Sequence, residues 1–175
     1  MPAQVRMPKK ELYTYEDYLK LPEGAPYQLI GGKLVMSLSP SVRHQLTLVR
    51  LMMKLSGFVA ERDLGLVLCA PVDVYFGERD VYQPDIIFVS AERMDIVEED
   101  LINGPPDLVV EILSPSTAYY DLRSKFKVYE RSGVKEYWIV DPEERGIEVY
   151  LNEGGKFKLM GKAEGEGEIA SPRGV

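Results

Sequence analysis

Apolar positions along the chain change period several times, and each change marks an element. Thr14 before Tyr15, Glu16, Asp17, Tyr18 and Leu19 reads as an N-cap with acidic residues in the first turn of a short helix, stopped near Pro22. The run YQLIGGKLVMSL holds two strand-like halves around Gly31-Gly32, a two-residue hairpin signal. Ser39 or Ser41 can then cap a long helix to about Arg62, in which Val42, Leu46, Val49 and Met53 recur at helical spacing. That wide apolar stripe is expected to lie against a sheet.

From Leu66 to Phe76 the pattern turns to β, as it does in YQPDIIFV and PDLVVEIL, each bounded by Gly, Pro or charged turns. These predict the central strands, with a helical turn and a surface loop between Ala91 and Gly104. Tyr119, Leu122, Phe126 and Tyr129 predict a helix with one apolar face from Ala118 to about Ser132, where Gly133 stands at the C-terminal glycine position. EYWIVDP and IEVYL add two strands and KFKLM a third, before a Gly-Glu alternation that reads as a loose tail. The order, without internal repeats, gives one α/β (α+β) domain over 12–161, a sandwich on a central mixed sheet flanked by helices, with flexible tails at 1–11 and 162–175.

Composition narrows the function classes. No apolar run reaches bilayer length and the N-terminus lacks a signal-peptide core, so a cytoplasmic protein with no membrane contact is expected. One cysteine and one histidine exclude an internal disulfide and the usual zinc ligand sets, leaving hard, oxygen-bound metals. The formal charge of -7 argues mildly against nonspecific wrapping of nucleic acid, although carboxylates reserved for a cation count as negative until it binds.

Two acids stand out against their surroundings. Glu111 sits among Leu108, Val109, Val110, Ile112 and Leu113, a strand read as covered on both faces. An ionised carboxylate there costs several kcal/mol unless it is paired or holds a cation. Asp85 poses the same problem between Pro84 and the run Ile86, Ile87, Phe88, Val89. Two carboxylates on neighbouring strand ends can converge on Mg²⁺, the ion of phosphoryl transfer, or each can be satisfied by backbone N–H groups or a basic partner. Lys125 lies beside the apolar stripe of its helix, one turn after Asp121 and one before Tyr129. It can pair with Asp121, or aim its ammonium at a phosphate.

QPDIIFV, PDLVVEILSPST and DLRSKFKVYERSGVKEYWIVDP, in that order, resemble the Uma-type restriction endonuclease family, a branch of the PD-(D/E)XK nuclease superfamily. YTYEDYLKLPEG, YQLIGGKLV and SPSVRHQ extend the resemblance over most of Leu12 to Gly161. It implies a restriction-endonuclease-like fold and Mg²⁺-dependent DNA endonuclease activity, with Mn²⁺ as a substitute ion and a homodimer as the assembly. It also implies Asp85 and Glu111 as metal ligands, the carbonyl of Ile112 as a backbone ligand, and a catalytic lysine. The usual lysine position holds Leu113, and the family's displaced lysine on the next helix matches Lys125. Gln28 stands where the family commonly has Glu, which points to the rival reading of an impaired nuclease serving as a nucleic-acid or protein interaction module. His44 matches a histidine at the start of the long helix, with phosphate contact, proton relay or capping as its roles. The family's further element beyond the tail is missing before Val175, which the resemblance reads as truncation.

Overall fold

The computed structural model describes residues 9–115, 118–165 and Ser171, without the side chain of Asp121. Helix α1, Tyr15–Tyr18, has the expected N-cap at Thr14, which the structure extends to a reciprocal capping box with Asp17. Strands β1, Tyr27–Ile30, and β2, Lys33–Met36, form the expected hairpin, with Gly31 and Gly32 both at positive φ. Helix α2, Val42–Glu61, starts at Ser41, whose hydroxyl accepts the N–H of His44. The β segment after it divides into β3, Gly65–Cys69, and β4, Asp73–Gly77. Then come β5, Asp80–Tyr82, and β6, Ile86–Ser90.

The stretch between Ala91 and Gly104 contains the expected helical turn, but part of the expected loop is a strand. A 3-10 turn over Ala91–Ile96 is followed by a short strand, β7, Leu101–Asn103, parallel to β4. Three residues carry too little periodicity to announce a strand. Strand β8, Leu108–Ile112, leads into a π-wound segment, Tyr120–Lys125, continuous with helix α3, Phe126–Ser132, which ends on Gly133 at φ 90°. Strands β9, Glu136–Asp141, β10, Gly146–Glu153, and β11, Lys156–Glu164, complete the elements of the described residues.

The expected mixed sheet is present as six strands in the order β11-β10-β9-β8-β6-β3, and a second sheet, β2-β1-β5-β4-β7, accompanies it. In the larger sheet β8 and β9 run parallel while β6 and β8 run antiparallel. Alternate residues of β6 and β8 enter different cores. Ile86, Phe88, Leu108, Val110 and Ile112 pack under α2 with Leu48, Leu55 and Val59. Ile87, Val89 and Val109 face the other way, toward Val74, Tyr82, Tyr129 and Tyr137. Each central strand is therefore apolar on both faces, and β8 is buried at every residue.

Two periodicity readings are corrected. Val42, Leu46, Val49 and Met53 are not the face of α2 that meets the sheet; they are 77%, 53%, 49% and 72% exposed. The helix is apolar on two opposite sides, so period alone cannot choose which one is buried. On the later helix Tyr119 and Leu122 are exposed while Val128 and Tyr129 are buried. The π winding changes the angular step between residues, so a face drawn at 3.6 residues per turn drifts across it.

Candidate active site

The register of β6 and β8 builds the site. Ile87 pairs with Val109 and Ile86 with Val110. Continued one step, that ladder sets Asp85 across from Glu111, on the face of Ile87 and Val109. Like charges opposed across a strand pair repel, so this placement needs compensation.

Each acid receives it from different elements. Asp85 Oδ2 accepts the backbone N–H of Ile112 at 2.7 Å and lies 3.2 Å from His44 Nε2. His44 is carried in by the first turn of α2 and is 7% exposed, its N–H bonded to Ser41. Glu111 Oε1 takes the ammonium of Lys125 at 2.9 Å and the hydroxyl of Tyr129 at 2.5 Å. Lys125 and Tyr129 stand one helical turn apart, and neither is more than 3% exposed. The Lys125 ammonium is also 5.9 Å from the centre of the Tyr82 ring. Burial, followed by the Asp80 carboxylate it donates to at 2.6 Å, pushes the Tyr82 hydroxyl pKa far up, so it stays a neutral donor.

Gln28 lies in β1 and reaches the same cleft, but its amide is engaged. Its Oε1 accepts the N–H of Gln83 at 2.8 Å and its Nε2 donates to Ser37 Oγ at 3.1 Å. Gln83 in turn donates to Asp73 Oδ1 at 2.9 Å, an atom that also accepts the Tyr18 hydroxyl at 2.9 Å. This chain of bonds fixes the segment Gln83-Pro84-Asp85 against the smaller sheet.

Asp85, Glu111, Lys125, His44 and Gln28 thus line one cleft of about 530 Å³, with Ser114 and Pro115 at its edge. Ile112 contributes its N–H rather than any side chain. The Asp121 side chain lies outside the described residues. A larger cavity of about 770 Å³ lies across Gln83 and Pro71 and carries Glu23, Asp73, Glu98, Glu99 and Asp100. Its acidity opposes a phosphate ligand. The Asp of PDLVVEIL is also elsewhere. Asp107 is at the far end of β8, roughly 13 Å from Glu111 at ~3.3 Å per residue, where it meets Ser90, Arg93 and Lys135.

Sequence reasoning did not assign Tyr129 to the site, nor the pairing of His44 with Asp85. A tyrosine on an apolar helix face is itself a signal, because its hydroxyl needs a partner when buried. Its place one turn from Lys125 points to the partner they share.

Among the described residues no three His, Cys, Asp or Glu side chains converge as a metal cluster. The donors present are two carboxylates beside an open cleft. That set fits a hard ion that keeps several waters and takes further oxygens from a phosphate; it does not fit a closed structural metal.

A buried glutamate and a partly exposed aspartate at the ends of neighbouring central strands, with a lysine from the following helix at the glutamate, make a site of the kind the sequence resemblance implies. The family model described as "Uma2: Putative restriction endonuclease" matches residues 15–175, and the chain belongs to that family. Among solved structures, one titled a putative nuclease belonging to DUF820, from Anabaena variabilis, superposes with a TM-score of 0.70 at 23% identity over 83% of each chain. At that identity the likeness speaks for the fold. No curated protein matches the chain.

Proposed function

We propose that the protein is a Mg²⁺-dependent DNA endonuclease that hydrolyses phosphodiester bonds. The observation that carries the reading is the opposition of Asp85 and Glu111 across β6 and β8, in a cleft that also receives Lys125. Asp85 and Glu111, with the carbonyl of Ile112 as the family resemblance implies, would hold the ion. Bound Mg²⁺ would neutralise phosphate charge and lower the pKa of an attacking water.

The protein's own groups account for the rest. The Ile112 N–H and His44 fix the Asp85 carboxylate, and Tyr129 with Lys125 fixes Glu111, so neither acid needs to reorganise when a phosphate enters. Lys125 offsets negative charge as water attacks phosphorus in line and the bridging P–O bond breaks, leaving a phosphate monoester and a hydroxyl. His44 is near enough to Asp85 to relay a proton at Nε2.

The test is nicking of supercoiled plasmid DNA with Mg²⁺ or Mn²⁺. Activity is expected in the wild type and not in folded Asp85→Ala, Glu111→Ala or Lys125→Ala proteins. Cleavage indifferent to all three changes defeats the proposal.

A second reading, an impaired nuclease acting as an interaction module, has its own observation. Lys125 and Tyr129 already compensate Glu111 without an ion, and Gln28 brings no third charge. Calorimetry separates the two, since absence of any Mg²⁺ or Mn²⁺ binding leaves only the module. For either reading we place the homodimer contact on the exposed row Val42, Leu46, Val49 and Met53 of α2.

A further inference from the structure

The helix that delivers Lys125 to Glu111 presents a second, outward-facing group. Tyr119 is 64% exposed and Leu122 is 47% exposed. Arg123 lies over the Tyr119 ring, its guanidinium carbon 5.6 Å from the centroid. Among the described residues no carboxylate ion-pairs with Arg123, so its N–H edge is available. Tyr119 is not a loose side chain. The ring of Tyr120 meets it at 5.5 Å and 84°, and Tyr120 itself packs against the main core. A braced aromatic of this kind loses little side-chain entropy on contact with a ligand.

Its position ties it to the cleft. Ser114 and Pro115 line the cleft edge, and the helix starts from that loop, with the N–H of Ala118 bonded to Ser114 O at 3.0 Å. Tyr119 precedes Lys125 by six residues, about 7–9 Å along the axis at ~1.5 Å or less per residue. That is on the order of two to three nucleotide steps at ~3.4 Å per step along a strand. The π winding over Tyr120–Lys125 lets one short helix turn Lys125 inward while Tyr119 and Arg123 share an outer face.

We propose that Tyr119 and Arg123 bind an unpaired nucleotide of the strand whose phosphate lies in the cleft. The base stacks on the Tyr119 ring, and the Arg123 guanidinium N–H groups take the adjacent phosphate. A base inside a duplex stack cannot use such a surface, so the substrate class is single-stranded nucleic acid or a splayed end or junction. This rests on the nuclease reading but does not require turnover.

The test is fluorescence anisotropy of the whole chain with a labelled single strand of about 12 nucleotides, within the usual site size, and with its duplex. EDTA is present throughout so that nothing is cut. Wild type is expected to prefer the single strand. Tyr119→Ala should weaken that binding roughly ten-fold or more, the effect of one lost base–aromatic stack, with little change on the duplex. Tyr119→Trp should retain binding and show a change in Trp emission on adding the strand, against the background of the native Trp138. Arg123→Ala should weaken binding and flatten its salt dependence. Equal single-strand affinity in wild type and Tyr119→Ala overturns the platform. If such a protein still nicks plasmid, the nuclease reading survives that result. No binding of either probe by wild type overturns the platform outright, and the nicking assay then decides the nuclease reading separately.

Discussion

The hydroxyl of Tyr129 donates to Glu111 Oε1 at 2.5 Å, sharing that oxygen with the ammonium of Lys125. One residue of the apolar helix face therefore sets the orientation of the buried acid on the neighbouring strand. Tyr129→Phe removes this donor and almost nothing else. A hydrogen bond to a charged group contributes about 1.5–3 kcal/mol, and a loss of that order is expected by urea unfolding. Mn²⁺ affinity, read by calorimetry, should fall with it. An unchanged midpoint and affinity would show that the hydroxyl orients nothing.

Lys125→Met leaves Glu111 buried without its cation. Breaking one side of a buried pair costs about 3–5 kcal/mol, whereas replacing both partners with apolar or neutral groups can be nearly neutral. The double variant Glu111→Gln/Lys125→Met is thus expected to be more stable than Lys125→Met alone. Thermal denaturation checks this. Equal melting temperatures for the single and double variants would mean that the pair is not coupled.

Gln28→Glu keeps an acceptor for the Gln83 N–H and adds a carboxylate to the cleft. Without metal it adds like charge beside Asp85 and Glu111 and should destabilise the fold by about 1 kcal/mol or more. With Mn²⁺ present the order reverses, and affinity should rise about ten-fold on account of the added ligand charge. Calorimetry on both proteins decides it, and weaker Mn²⁺ binding in the variant would count against a metal in this cleft.

At Asp107 burial pushes the carboxyl pKa up, but Lys135, the Ser90 N–H and Arg93 outweigh it and hold the pKa below the ordinary 3.8. A depressed folded value stabilises the fold above the unfolded pKa, and the contribution disappears as pH falls through the folded one. The stability gap between wild type and Asp107→Asn should accordingly be full above pH 3.8 and shrink below it. Urea titrations on either side of that value measure the gap; a gap that widens with acid has the wrong sign.

Val49→Glu places a charge in the exposed row of α2, away from Leu48 and the core. If that row is the dimer contact, light scattering should show a dimer for wild type and a monomer for the variant, with the monomer's fold intact by circular dichroism. A wild-type monomer, or a dimer unaffected by the change, moves the contact elsewhere or removes it.

Much of the fold was legible because local rules act over short distances. Thr14 and Ser41 cap helices, Gly31-Gly32 turns a hairpin and Gly133 ends α3, each for reasons contained within a few residues. Period was less reliable where both faces of an element are apolar. On α2 the stripe of Val42, Leu46, Val49 and Met53 and the stripe of Leu48, Leu55 and Val59 look alike in sequence, and only docking onto the sheet distinguished them.

The sequence by itself determined which charges are out of place: an acid in each of two apolar strands and a lysine beside an apolar stripe, whereas Gln28 stood out only against the pattern of the resembled family. Burial of charge is costly whatever the fold, so composition and neighbours sufficed to single them out. What only the tertiary structure decided is who compensates whom. The β6–β8 register opposes Asp85 to Glu111, α2 brings His44 to Asp85, and α3 with the π turn before it brings Lys125 and Tyr129 to a single oxygen. These partners are separated by 14 to 41 residues, and side-chain pairing over such separations follows from strand register and helix docking rather than from any local pattern.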